Sequence, residues 1–202
     1  MSAPAAIPPG LVDNRLFVLI LQHPRERREA LASAAVLPAL LGRAALVAGL
    51  SWPNLAAALG RRADARRWAV LYLGTARPRT VGGEREIVVL DRNGEPAPET
   101  DALLRGLEGV VLLDGSWKEA KTLWWRNPWL LKLHRLVLNP LQPSRYGRLR
   151  REPRREALST LEAAALLLRH CERTPDASAA LLAEFDRLLA GHRASAEREE
   201  TA

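Results

Sequence analysis

Hydrophobic positions in this chain fall into two kinds of segment that alternate. Residues 16–21 (Leu-Phe-Val-Leu-Ile-Leu) and 110–113 (Val-Val-Leu-Leu) are apolar at every position. Unbroken apolar runs of this length read as strands buried on both faces. Residues 44–50 form a further short apolar run, and 68–73, 86–90 and 136–138 read as additional strands. Turn residues follow several of them: Gln22-His23-Pro24, Gly74-Thr75, and 91–94. Between the runs, residues 27–40, 52–59 and 99–107 have helical composition, with Ser51 placed to cap the second and Pro53 in its first turn. Two Ala/Leu-rich helices, 158–173 and 177–189, follow. Strands alternating with helices predict an α/β fold, a mostly parallel sheet with helices on both faces. No internal repeat is visible. We divide the chain into a loose tail at 1–14, one domain at 15–190 and a polar tail at 191–202, whose last residues, from 197, are expected to fray.

The sharpest transition lies at 110–117. The apolar run ends in Asp114-Gly115, and the helix formers Trp117, Lys118, Glu119, Ala120 and Lys121 follow Ser116. This is a strand, a tight turn and a helix start. Ligands in open α/β sheets bind outside the carboxyl ends of strands, so Asp114 stands where chemistry is expected. Asp-Gly before a serine also suits a plain turn or helix cap. Three strands end in loops of functional composition, at Gly74-Thr75, Asp114-Gly115 and 139–149, all on one edge of a parallel sheet. That is the geometry of a small-molecule pocket. No Gly-x-Gly-x-x-Gly or phosphate-loop pattern is present, which disfavours a dinucleotide or nucleoside triphosphate fold.

Composition narrows the partners. The 202 residues suit one domain, and 30 Lys and Arg against 23 acids leave a net charge of +7. That excess fits a polyanion. The single Cys171 excludes an intrachain disulfide and a cysteine-cluster zinc site, fits a reducing compartment, and reads as a packed residue. No apolar stretch is long enough to span a bilayer, and residues 1–10 do not resemble a signal peptide. A cytoplasmic protein with no membrane partner is expected.

Residues 145–155 hold six arginines, Arg145, Arg148, Arg150, Arg151, Arg154 and Arg155, with one glutamate. Guanidinium groups make forked contacts to phosphate, and Tyr146 among them could stack on a base. A solvated loop is the alternative, but the charge density favours nucleic acid. Immediately after, Ser159 or Thr160 can cap a helix, with Glu162 at capping-box spacing from Ser159. Such a helix start can also hold a ligand carboxylate. Trp117, Trp124, Trp125 and Trp129 fall within thirteen residues. Spacing favours a core role for them; the alternative is that Trp124 or Trp125 stacks on a base or an adenine ring. His23 reads either as a structural residue at a strand-end turn or as an acid/base.

Several runs together resemble one family. They are Asp-Gly-Ser-Trp (114–117), Lys-x-Ala followed by Asn-Pro-Trp-Leu (118–130), Pro-Ser-Arg-Tyr (143–146) and Leu-Ser-Thr-Leu-Glu-Ala (158–163), with Gln22-His23-Pro24-Arg25-Glu26 after the first strand. In this order and spacing they are similar to the DTW-domain family, with Ser116 where the motif has threonine. The resemblance implies a tRNA-uridine aminocarboxypropyltransferase that uses S-adenosylmethionine, without a metal, and a fold like the knotted α/β methyltransferases. It implies Asp114 as the catalytic base. It implies a cofactor site drawn from Gly74, Leu112, Ser116, Trp117, Leu138, Leu158, Ser159, Thr160 and Glu162. Lys118, Lys121 and Arg126, with Tyr146 and the six arginines, would face tRNA. The alternatives are a knotted S-adenosylmethionine-dependent RNA methyltransferase and a non-catalytic RNA-binding protein. Many members of the family carry a cysteine-rich zinc module, which this sequence lacks.

Overall fold

The structure is a computed structural model and describes residues 10–28, 33–72, 85–91, 93–146 and 158–200. Its strands are β1 (Phe17–Gln22), β2 (Ala44–Ala48), β3 (Trp68–Leu71), β4 (Ile87–Leu90), β5 (Gly109–Asp114) and β6 (His134–Leu138). Among the described residues they form a six-stranded sheet in the order β2-β1-β5-β3-β6-β4. Every pairing is parallel except that of β4, which runs antiparallel to β6 at the edge. The expected α/β class and mostly parallel sheet are therefore observed.

The apolar runs have no polar face because the sheet is covered on both sides. Val18 and Ile20 of β1, Ala69 of β3 and Val110 and Leu112 of β5 enter one core. Leu19, Leu21, Trp68, Val70 and Val111 enter a second. The first core is roofed by α1 (Val36–Leu40), α3 (Thr100–Gly106), α5 (Thr160–Cys171) and α6 (Asp176–Glu200), and the second by α2 (Leu55–Leu59) and the 3₁₀ turn Pro128–Lys132. Helix α4 (Trp117–Arg126) follows β5, and Trp124 packs at the margin of the second core. Eight consecutive residues of α5, from Leu161 to Leu168, are buried. All but Glu162 are apolar, and a helix segment buried on every face is one enclosed on all sides, here by the sheet and α6. At the amino end of β5, the ring of Trp68 lies over Gly109, so close that a Cβ there would sit 2.5 Å from it.

Three expectations shift. Residues 27–40 are not one helix: 3₁₀ turns at Glu26–Arg28 and Ser33–Ala35 precede the short α1. Pro38 explains this, because inside a continuous helix it would lack its N–H and clash with the carbonyl of Ala34. In the first turn of a helix starting at Val36 it costs little. Helix α2 begins at Leu55 with Asn54 as its cap, the Asn54 side chain accepting from the amide of Ala57 at 2.9 Å. Ser51 is not the cap, since its hydroxyl donates to the carbonyl of Arg126. Finally, α6 continues to Glu200 through the segment expected to fray. Among the described residues no helix is long and apolar enough to cross a membrane.

Candidate active site

The registers bring the carboxyl ends of β2, β1 and β5 level, with Gln22 opposite both Ala48 and Asp114. Asp114, the last residue of β5, is 4% exposed at the centre of this edge. One carboxylate oxygen accepts from Gln22 Nε2 at 2.9 Å, and the other from Thr160 Oγ1 at 2.6 Å. The backbone carbonyl of Asp114 accepts from the amide of His23 at 2.9 Å. The acid is thus tied to the ends of two strands and to the first turn of α5.

Gly115 makes the turn after it. Its φ of +146° lies where side chains are strained, and a Cβ would approach Glu119 Cβ to 2.9 Å and His23 Cβ to 3.3 Å. The backbone therefore passes tightly between these residues. Glu119 Oε2 accepts from the amide of Ser116 at 2.9 Å and from its hydroxyl at 2.8 Å. Its other oxygen lies 3.3 Å from His23 Nδ1. The same Nδ1 is 3.3 Å from the amide of Arg25. It can donate to Glu119 or accept from Arg25, and the ring tautomer selects which. Burial is the largest single influence on the Glu119 carboxyl and pushes its pKa up. The Ser116 hydrogen bonds and the charges of His23 and Arg25 outweigh it, so the net shift is downward.

Helix α5 opens beside Asp114. Ser159 Oγ accepts from the amide of Glu162 at 3.1 Å, and Glu162 returns the contact to the amide of Ser159 at 3.0 Å. That is the capping box expected from the spacing. Glu162 also accepts from Ser144 Oγ and from the amide of Arg145, each at 2.7 Å. Its carboxylate thereby pins the Pro-Ser-Arg-Tyr segment onto the helix start. The amides of Thr160 and Leu161 open the helix and have no intrahelical partner by geometry.

The sequence-predicted residues fall into distinct places. Asp114, Ser116, Ser159, Thr160 and Glu162 come together around the β5 end. Leu158 is half-buried at the start of α5, and Leu112 and Leu138 are buried strand residues. Trp117 opens α4 at 36% exposure. Lys118, Lys121 and Arg126 are exposed on α4, and Arg145 pairs with Asp186 at 2.6 Å. Gly74 and Arg148, Arg150, Arg151, Arg154 and Arg155 lie outside the described residues. Tyr146 requires a correction. It is 2% exposed, its ring meets Phe185 edge-on at 5.1 Å, and its hydroxyl is 3.3 Å from Ser33 Oγ. In this conformation the ring is core and is not presented to a base.

Gln22 and Glu119 belong to the site and had been given no role in it. Glu119 carried a signal, since Ser116 and Glu119 have the same Ser-x-x-Glu spacing as Ser159 and Glu162. Gln22 carried two, its position at the end of an apolar run and its place in the Gln-His-Pro segment of the family resemblance, but neither gave it a role. The Asn-Pro-Trp-Leu run is structural. Asn127 is fully buried, donates to the carbonyls of Leu123 and Leu50, and accepts from the amide of Trp52 and from Trp129 Nε1. It fixes the end of α4 against the loop after β2. Burial pushes the Cys171 thiol up to about 11, so it is an inert packed residue.

Comparison with known proteins agrees with these motifs. The family model for the DTW domain matches residues 3–192. The chain is 31% identical over 173 residues to tRNA-uridine aminocarboxypropyltransferase 2 of Drosophila melanogaster, covering 84% of this chain and 61% of that protein. It therefore spans less than two thirds of the length of that relative. No solved structure matches. This chain belongs to the DTW domain family.

Proposed function

We propose that this protein moves the 3-amino-3-carboxypropyl group of S-adenosylmethionine to N3 of a uridine in tRNA. The observation that carries the reading is Asp114, a buried carboxylate at the carboxyl edge of the central strand, hydrogen-bonded to the first residue of α5. Family membership and the similarity to the fly protein support the choice of substrate.

The donor set fits the amino-acid end of S-adenosylmethionine. An α-amino acid carries an ammonium and a carboxylate a few ångströms apart. For that carboxylate the site offers the amino terminus of α5, where the amides of Thr160 and Leu161 favour an anion. The backbone around Leu112 of β5 and Leu138 at the end of β6 would border the adenine. When bound, S-adenosylmethionine supplies a sulfonium that makes its γ-carbon electrophilic. Overall, the uracil N3–C bond forms and the C–S bond breaks. The sulfur keeps the electron pair, and methylthioadenosine leaves. The N3 proton must go to a base. Asp114 takes that proton, and the Gln22 and Thr160 donors hold its carboxylate in one orientation. Holding the two reactants in line supplies much of the remaining rate gain. The arginines at 145–155 hold tRNA phosphates, and the knotted threading of the carboxyl-edge loops belongs to this same reading.

The test is the mass of the nucleosides of unmodified tRNA after incubation with the protein and S-adenosylmethionine. A uridine heavier by an aminocarboxypropyl group supports the proposal, and a methylated base overturns it. Reversing the charge of Arg150 and Arg151 is expected to weaken tRNA binding and flatten its salt dependence. An unchanged slope removes that segment from the interface.

A further inference from the structure

The four tryptophans of 117–129 divide between two environments. Trp129 is buried, and Trp124 stacks on Tyr72 with ring centroids 4.2 Å apart. Trp125 is instead 71% exposed and Trp117 36% exposed. At about 100° of turn per residue, Trp117, Lys121, Trp125 and Lys118 fall within one arc of α4 roughly 100° wide. Both lysines are exposed, as is Arg126 at the end of the helix. The one acid of α4, Glu119, is turned away to Ser116 and His23. The arc is therefore aromatic and uniformly cationic, and it starts three residues after Asp114. A single exposed apolar side chain needs no explanation. An exposed indole between lysines, on the helix that begins at the catalytic edge, has the composition of a single-strand nucleic-acid platform.

We propose that this face of α4 is a stacking rail for the single-stranded RNA flanking the target uridine. The inference rests on the function proposed above and names how its substrate is seated. Trp117 and Trp125 are about 12 Å apart along the axis, at roughly 1.5 Å of rise per residue. That is about three to four stacked steps at roughly 3.4 Å each. Bases stack on the indoles while Lys118 and Lys121 take the phosphates. Recognition of this kind tolerates sequence but needs unpaired nucleotides, so it selects a loop over a stem.

The test compares the wild type with Trp125→Ala, Trp125→Phe and Lys121→Ala, measuring affinity for unmodified tRNA across a salt series. Trp125→Ala is expected to weaken binding about tenfold to a hundredfold and to leave the salt slope unchanged, because the indole carries no charge. Trp125→Phe retains a ring and is expected to stay within a few-fold of the wild type. Lys121→Ala lowers the slope by about one. Wild-type affinity in Trp125→Ala overturns the rail. So does a Trp125→Ala variant that loses self-association in sedimentation while still binding RNA, which would assign the face to a second copy of the chain. A wild type that binds and modifies tRNA beside an unaffected Trp125→Ala refutes the rail alone. A wild type that binds no RNA refutes the proposed function with it.

Discussion

Replacing Asp114 with asparagine separates the chemistry of this residue from its place in the fold. Aspartate and asparagine have the same shape, and both partners of Asp114 can adapt. Gln22 can turn its amide to present oxygen, and the Thr160 hydroxyl can accept instead of donate. Two charge-assisted hydrogen bonds become neutral ones, a loss of about 1 kcal/mol each. About 2 kcal/mol is an upper figure, because burying an amide costs less than burying a carboxylate. For a domain of this size the melting temperature should fall by about 4–8 °C at most. Transfer should fall much further, by about 10²- to 10⁴-fold, the usual contribution of a general base. Asp114→Ala is the harsher comparison, since it leaves Gln22 and Thr160 without their buried acceptor. The assay is single-turnover transfer to tRNA at saturating S-adenosylmethionine, with co-substrate affinity and thermal melting measured on the same samples. A folded Asp114→Asn that transfers at the wild-type rate would refute Asp114 as the base.

Three further outcomes follow from the geometry. Gly109→Ala drives a methyl into the Trp68 ring and should cost about 1–3 kcal/mol by overpacking, read as a lower denaturation midpoint; an unchanged midpoint means the ring moves freely. Asn127→Leu strands the carbonyls of Leu50 and Leu123 and the Trp52 amide, while Trp129 Nε1 keeps its bond to the Trp52 carbonyl, and should cost about 2–4 kcal/mol in the same measurement. For Glu86, burial pushes the carboxyl pKa up, but hydrogen bonds and charge from His170 and Arg169 prevail and hold it below its ordinary value of 4.5. Its stabilisation is therefore present above that value and lost as pH falls through the lowered one. The stability difference between wild type and Glu86→Gln should shrink on acidification, and a difference that is flat or grows would contradict the assignment.

The elements easiest to read in the sequence were those whose environment allows a single interpretation. β1 and β5 are buried on both faces, so no helical or alternating pattern competes with their unbroken apolar runs. The Ser159–Glu162 box was legible because both halves of the contact lie three residues apart. Features set by distant partners were hidden. Ser51 and Asn54 are equally plausible caps by type, and the hydrogen bond from Ser51 to the carbonyl of Arg126 decides against the first. The antiparallel sense of β4 leaves no trace in its own four residues. Tyr146 was grouped with its arginine neighbours in sequence, yet its ring belongs to the Phe185 contact with α6. In the site, Asp114 and Thr160 were each identified, but the contact between them spans 46 positions and had no local signature.

The most direct test of the central claim traces which part of S-adenosylmethionine enters the RNA. Unmodified tRNA is incubated with the protein and co-substrate labelled either in the carboxyl carbon or in the methyl group, then digested to nucleosides. The account predicts carboxyl label in a modified uridine, with methyl label confined to released methylthioadenosine. Methyl label in the RNA, or no label from either, would contradict it.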